Sequence, residues 1–207
     1  MTEHHTTPED WLNPAFDLTE VIRTLSRVGA ITVPGVLRDT GRQRLIEQTV
    51  RLPFTDQAAV VGPYGVQQHY AAVAEFALGS VYRQLWGAFQ TLLEQHLAQL
   101  PCSPFASSLR FTNAALHRYP PGPLGLSPHR DSARSINFVA IFVLRGRGRF
   151  IVCQDRTGRG AVDLPNAPGD LILLRAPGFL STEDRPFHAV LDIFEERLTF
   201  ALRQRRE

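Results

Sequence analysis

Apolar residues change their spacing near residue 105 of this chain. Before it they recur at helical intervals; after it they form short runs divided by Pro- and Gly-rich turns. Leu18, Val21, Ile22, Leu25 and Val28 share one helical face, preceded by the capping-box pair Asp17 and Glu20 and followed by Gly29. Ala30 to Leu37 predicts a short strand, broken by Pro34-Gly35 and therefore at a sheet edge. A second helix is expected over 40–51, with Leu45, Ile46 and Val50 buried. A long helical region is expected over 71–100. There Val81, Leu85, Ala88, Phe89, Leu92, Leu93 and Leu97 form a core stripe, with Gly79 as a candidate break and Pro101 as the stop. His96, among polar neighbours, is expected at the surface. Residues 53–70, with Gly62-Pro63-Tyr64-Gly65, read equally as the rim of a substrate mouth or as a plain connection. Residues 1–16 read as a loose arm, and the His4-His5 pair in it is not expected to bind metal.

Strands are expected over 108–118, 136–144, 148–153, 161–164, 170–175, 187–193 and 196–203. The run Ile136 to Leu144 is apolar almost throughout, as a central strand requires. Pro120-Pro121-Gly122-Pro123 and Pro165 to Asp170 are read as turns. Helices first and strands afterwards predict a mainly β, α+β architecture. It is a jelly roll or barrel formed by 105–207, with the helices of 17–100 packed on one sheet. No repeat or linker divides the chain, and 207 residues suit one domain with a sizeable core.

Charge narrows the classes of function. The formal net charge is +2, which argues for no nucleic-acid or membrane partner. All 22 basic residues are arginine, so Schiff-base chemistry, a lysine base and the P-loop lysine are excluded. Cys102 and Cys153 form no disulfide framework and no Cys-x-x-Cys pair. The polar start Met1-Thr2-Glu3 is not expected to act as a secretory leader, so a reducing, cytoplasmic setting is expected.

The candidate chemistry centres on His129-Arg130-Asp131. Residues two apart on a strand face the same side, so His129 and Asp131 can hold one metal ion from one segment. His188, in Arg185-Pro186-Phe187-His188, supplies a second imidazole. Two imidazoles and a carboxylate suit a non-haem Fe(II) ion with open positions. Arg197 lies in an otherwise apolar strand and needs an anion if it points inward; facing outward, it would pair with Glu195 or Glu196. His117 is a competing ligand or a satisfied core histidine.

These residues resemble the Fe(II)- and 2-oxoglutarate-dependent oxygenases. The resemblance spans 108–203 and rests on Arg118-Tyr119-Pro120-Pro121-Gly122, His129-Arg130-Asp131, Pro168-Gly169-Asp170, His188 and Arg197-Leu198-Thr199. Gly29 to Leu37 is similar to the opening of the phytanoyl-CoA-dioxygenase-like branch, and a prolyl-hydroxylase-like branch also fits. The resemblance implies a double-stranded β-helix, with Fe(II) held by His129, Asp131 and His188. It implies that Arg197 forms a salt bridge to the distal carboxylate of 2-oxoglutarate, that Thr199 hydrogen-bonds it, and that Tyr119 helps hold it. O2 would be the oxidant, with succinate and CO2 released. Halogenating relatives carry Gly or Ala in place of the ligand aspartate, so Asp131 implies hydroxylation, desaturation or ring closure.

Arg134 and Arg130 are the candidates for a substrate anion, with Asn137 and Asn113 as further polar candidates. They point to a small anionic metabolite ahead of a peptide or nucleic acid. Two other classes stay open. One is a cupin-type metal enzyme without 2-oxoglutarate. The other is a non-catalytic β-sandwich module that binds nucleic acid or an acidic protein through Arg145-Gly146-Arg147-Gly148-Arg149, with Arg156 and Arg159 nearby.

Overall fold

The computed structural model describes residues 7–206; His4 and His5 lie outside the described residues. In chain order the elements are α1 (Pro8–Trp11), α2 (Leu18–Val28), β1 (Ala30–Val33), α3 (Asp39–Thr49), β2 (Thr55–Asp56), β3 (Val60–Val61), β4 (Val66–Gln67) and β5 (Ala71–Val73). They continue with α4 (Val81–Leu97), β6 (Asn113–Tyr119), β7 (Gly122–His129), β8 (Ser135–Arg145), β9 (Arg149–Cys153), β10 (Val162–Leu164), β11 (Leu171–Arg175), β12 (Phe187–Ile193) and β13 (Arg197–Arg205).

Two antiparallel sheets face each other, as in a jelly roll. The larger has seven strands in the order β1-β11-β8-β13-β6-β5-β2; the smaller has four, β10-β9-β12-β7. Strand parity sorts the core into two layers. Phe138, Ala140, Phe142 and Leu144 of β8 join Leu198, Phe200 and Leu202 of β13 in the core shared with the helices. Val139, Ile141 and Val143 join Ala201, Phe150 and Val190 in the core between the sheets. The same parity places Arg197, Thr199 and Arg203 of β13 on the between-sheet side, and all three line the cavity there.

The helices cover the outer face of the large sheet. Asp17 caps α2 by accepting from the Thr19 and Glu20 amides, and Gly29 closes the helix at φ 78°. In α4, Phe89 packs edge-on against Phe142 at 5.1 Å, and Tyr82 meets Phe200 at 5.2 Å.

Four expectations are corrected here. Residues 8–16 are not a loose arm: Trp11, Leu12 and Phe16 are buried, with Trp11 against Gly41 of α3. Their apolar area outweighs the polar, Pro-containing look of the segment. Val50 is 89% exposed, because α3 ends at Thr49 and the chain turns away. The expected helix over 71–100 is a strand, β5, then a loop, then α4 from Val81. Ala71 and Ala72 fit either period, and pairing with β6 decides for the strand. Finally, Gly122 to His129, read as beginning in a turn, is β7. It lies at the edge of the small sheet, where Pro123 and Pro128 are tolerated.

The segment 53–70 holds the β3–β4 hairpin, docked along that edge. The Gln67 amide donates to Ser127 Oγ at 3.0 Å, and the His69 amide donates to the Gly125 carbonyl at 2.8 Å. Pairing this edge removes an open template for association.

Candidate metal centre

The space between the sheets opens into a cavity of about 800 Å³. On one wall, His129 ends β7 and pairs in register with His188 of β12. Their ring centroids are 4.3 Å apart. Asp131 sits just past the end of β7, with Oδ1 3.8 Å from His129 Nε2. One ligand atom from each of His129, Asp131 and His188 can be chosen so that all lie within 4.8 Å of one another. That spacing fits a three-ligand face on one ion. His129 Nδ1 lies 2.9 Å from the Ser127 carbonyl, and His188 Nδ1 lies 3.3 Å from the Pro186 carbonyl. Each carbonyl can take an Nδ1–H, which leaves the Nε2 lone pair available to a metal ion.

Electrostatics favour the ligating forms. Burial lowers the pKa of His188 to about 3, with His129 adding to the effect, so the ring is neutral at pH 7. Burial also lowers His129. Burial alone would raise Asp131, but Arg203, His188 and His129 together hold it well below the usual carboxylate range. Arg203 Nε lies 3.3 Å from Asp131 Oδ2, which leaves Oδ1 toward His129. Arg185 Nη1 donates to the Asp131 carbonyl at 2.5 Å and fixes the backbone there.

The opposite wall belongs to the large sheet. Arg197 is 1% exposed, and Thr199 and Tyr119 are buried beside it on paired strands. Glu195 and Glu196 do not pair with Arg197; they take Arg147 and Arg145. Nη1 of Arg197 reaches the Asn166 carbonyl at only 3.5 Å, and Nε and Nη2 are buried with no acceptor. Burial lowers its pKa to about 10, so it stays cationic at neutral pH. A buried, charged fork with free donors in a cavity fits a carboxylate.

The other candidates divide. Arg130 lines the cavity, its guanidinium 4.3 Å from the Phe187 ring centroid. Arg134 does not line it: it is exposed, in a turn closed by the Ser135 amide on the Ser132 carbonyl. Asn137 is corrected too. It adopts φ 65°, and its Nδ2 donates to Gln204 Oε1 at 2.7 Å and to the Ser107 carbonyl at 3.3 Å. A register shift between Arg203 and Gln204 accompanies this turn away from the cavity. Asn113 lines a neighbouring depression that meets the cavity at Arg203. His117 lines the cavity, packed against Tyr70 at 5.0 Å. It is outside the three-ligand group. The Arg145–Arg149 run is no free basic surface: Arg145, Arg147 and Arg149 pair with Glu196, Glu195, and Asp163 and Asp192.

Sequence reasoning missed Arg156, Arg185, Arg203 and Arg205 as cavity residues. Arg203 and Arg205 carried a signal, since both continue the Arg197–Thr199 alternation along β13.

No family model matches the chain, and no curated protein matches it in sequence. Solved structures do match. A prolyl hydroxylase from Trichoplax adhaerens, in complex with a hypoxia inducible factor peptide fragment, is 13% identical with a TM-score of 0.68 over 89% of this chain and 87% of that one. A prolyl-4-hydroxylase from Pseudomonas putida is 17% identical, TM-score 0.65, over 92% and 100%. An oxidoreductase of the 2OG-Fe(II) oxygenase family from Burkholderia pseudomallei is 14% identical, TM-score 0.60, over 93% and 92%. With this likeness spanning nearly the whole chain, the protein has the fold of the 2-oxoglutarate- and Fe(II)-dependent oxygenases.

Proposed function

We propose that this protein is an Fe(II)- and 2-oxoglutarate-dependent oxygenase that oxidises a C–H bond of a small anionic metabolite. One observation carries the reading. A buried guanidinium with unpartnered donors, Arg197, shares a cavity with a His-Asp-His group that can hold a metal. His129, Asp131 and His188 would hold Fe(II), and Arg197 the distal carboxylate of 2-oxoglutarate. Thr199 and Tyr119, buried residues that line the same cavity, would add hydrogen bonds to that carboxylate. When bound, iron, 2-oxoglutarate and O2 supply the oxidising power, with release of succinate and CO2.

The chain's own residues prepare the site. The carbonyls of Ser127 and Pro186 orient the imidazoles, and Arg203 orients the carboxylate. Ile141, Phe150 and Val190 give the cavity an apolar floor that limits water around the reacting atoms. Arg130 and Arg156, exposed at its mouth, and half-buried Arg185 give the cavity's rim the charge that an anionic substrate needs. Free Cys102 and Cys153 fit a reducing cytoplasm. Among the described residues no helix is long and apolar enough to cross a membrane.

The test is anaerobic titration with Fe(II) and 2-oxoglutarate. A weak visible charge-transfer band that disappears on adding chelator is expected. Metal retention with no band and no effect of 2-oxoglutarate would favour the cupin-type reading, which leaves Arg197 without an anion. Succinate release across panels of small acids, peptides and oligonucleotides tests the substrate class. Stimulation by peptides alone would overturn the small-metabolite reading.

A further inference from the structure

The cavity wall is more cationic than the chain as a whole. Six arginines line it against one carboxylate, Asp131, an excess of 6 − 1 = 5 positive charges. The whole chain carries +2. Two of the six have partners in the oxygenase reading, on which this inference rests: Arg203 holds Asp131, and Arg197 the cosubstrate. Fe(II) adds two charges and 2-oxoglutarate removes two, so the excess persists in the loaded site. Arg130, Arg156, Arg185 and Arg205 remain. Among the described residues no carboxylate lies within ion-pair distance of any of them. On the neighbouring turns, by contrast, Arg145, Arg147, Arg149 and Arg159 each have a carboxylate partner.

Three of the four are anchored in a way that leaves their donors free. The guanidinium carbons of Arg130 and Arg156 lie 4.3 and 5.4 Å from the Phe187 ring centroid, and Arg156 lies 4.0 Å from that of Tyr64. Stacking on a ring uses the guanidinium face and leaves the in-plane N–H edge for an oxyanion. Arg185 is held through Nη1 alone, on the Asp131 carbonyl. Arg130, Arg156 and Arg205 are exposed at the cavity mouth and Arg185 is half-buried, so water screens part of their mutual repulsion, and an anion within reach of several of them would offset the rest. A single carboxylate satisfies one fork, whereas a tetrahedral dianion accepts from several.

We propose that Arg130, Arg156 and Arg185 form a subsite for a phosphate monoester group of the substrate, separate from the Arg197 carboxylate site. Arg156 also ties this subsite to the turn of the β3–β4 hairpin through Tyr64.

The experiment uses the full chain, loaded anaerobically with Fe(II) and 2-oxoglutarate, and titrated calorimetrically with phenyl phosphate and with benzoate. Phenyl phosphate should bind at least about tenfold more tightly than benzoate. Arg156→Ala and Arg185→Ala should each weaken it about 10- to 100-fold, the range for charge-assisted hydrogen bonds. Arg156→Lys should restore part of the loss, and Arg147→Ala, outside the cavity, none of it lost. Equal affinity for the two probes, or Arg156→Ala and Arg185→Ala binding like the unaltered chain, overturns the proposal. So does displacement of phenyl phosphate by a single-stranded oligonucleotide at lower concentration, which would assign the arginines to nucleic acid. The charge-transfer band keeps the two readings apart: its presence with failed phosphate binding leaves the oxygenase standing, and its absence removes the oxygenase while the phosphate titration still reads.

Discussion

Replacing Arg197 by methionine should move two measurements in opposite directions. In the metal-free protein Arg197 is a charge without a carboxylate, with Nε and Nη2 buried and unpartnered and Nη1 on a long 3.5 Å contact. Each unmet buried donor costs about 1–3 kcal/mol. Methionine keeps the apolar stem and removes both donors, so a gain of about 1–4 kcal/mol is expected, as for buried charges replaced by apolar side chains. At roughly 2–4 °C per kcal/mol for a chain of this size, thermal denaturation should register a rise of several degrees. Cosubstrate binding should fall instead. Loss of one partner of a buried pair costs about 3–5 kcal/mol, or roughly two to three and a half orders of magnitude in Kd. Iron content, by metal analysis, should be unchanged. A residue that merely packs the core would lose stability on substitution and leave 2-oxoglutarate affinity alone; that pair of results would refute the reasoning.

Three further outcomes are expected. His188→Ala should lose stoichiometric Fe(II) binding at neutral pH, measured after anaerobic loading and desalting; full retention would exclude it as a ligand. Gly41→Ala should destabilise the protein by about 1–3 kcal/mol despite alanine's better helix propensity, because its Cβ would stand 2.8 Å from the Trp11 ring; a higher denaturation midpoint would contradict the docking of Trp11. Burial, aided by Arg203 and opposed by Asp131, lowers His117 to about 3, with His129, Tyr70 and Tyr119 also facing it. The folded state therefore keeps it neutral, and stability should be lost as pH falls from about 6.5 toward 3. Metal-free His117→Phe should lose less stability between pH 7 and pH 5 than the unaltered chain, and an equal loss would argue against a neutral, half-buried His117.

The parts of the fold legible in the sequence are those in which one physical signal acts alone. The apolar run of β8 and the capped, Gly-terminated α2 are such cases. β7 was hidden because its prolines signal a turn, and only its place at the sheet edge makes them harmless. At the site, parity along one strand groups Arg197 with Thr199, and spacing groups His129 with Asp131. Arg185 and Arg156 come from loops, where no period exists, and their relation to Phe187 and Asp131 is set by tertiary packing. Arg134 shows the opposite error. Nearness in sequence to Asp131 placed it at the site, but the Ser132–Ser135 turn takes it out of the cavity lining.

The His-Asp-His group belongs to the small sheet and its edge, whereas Arg197, Thr199 and Tyr119 belong to the large one. A ligand that reaches from the metal to Arg197 would therefore be a rivet through both leaves of the sandwich. Empty, the leaves are joined at this end by side-chain contacts such as Arg203 on Asp131. With such a ligand bound, prying them apart would require tearing it out. If the proposed cosubstrate binds there, the loaded protein should resist proteases and pulling forces that the unloaded one does not, and the supply of 2-oxoglutarate would then set how long each molecule lasts as well as how fast it works.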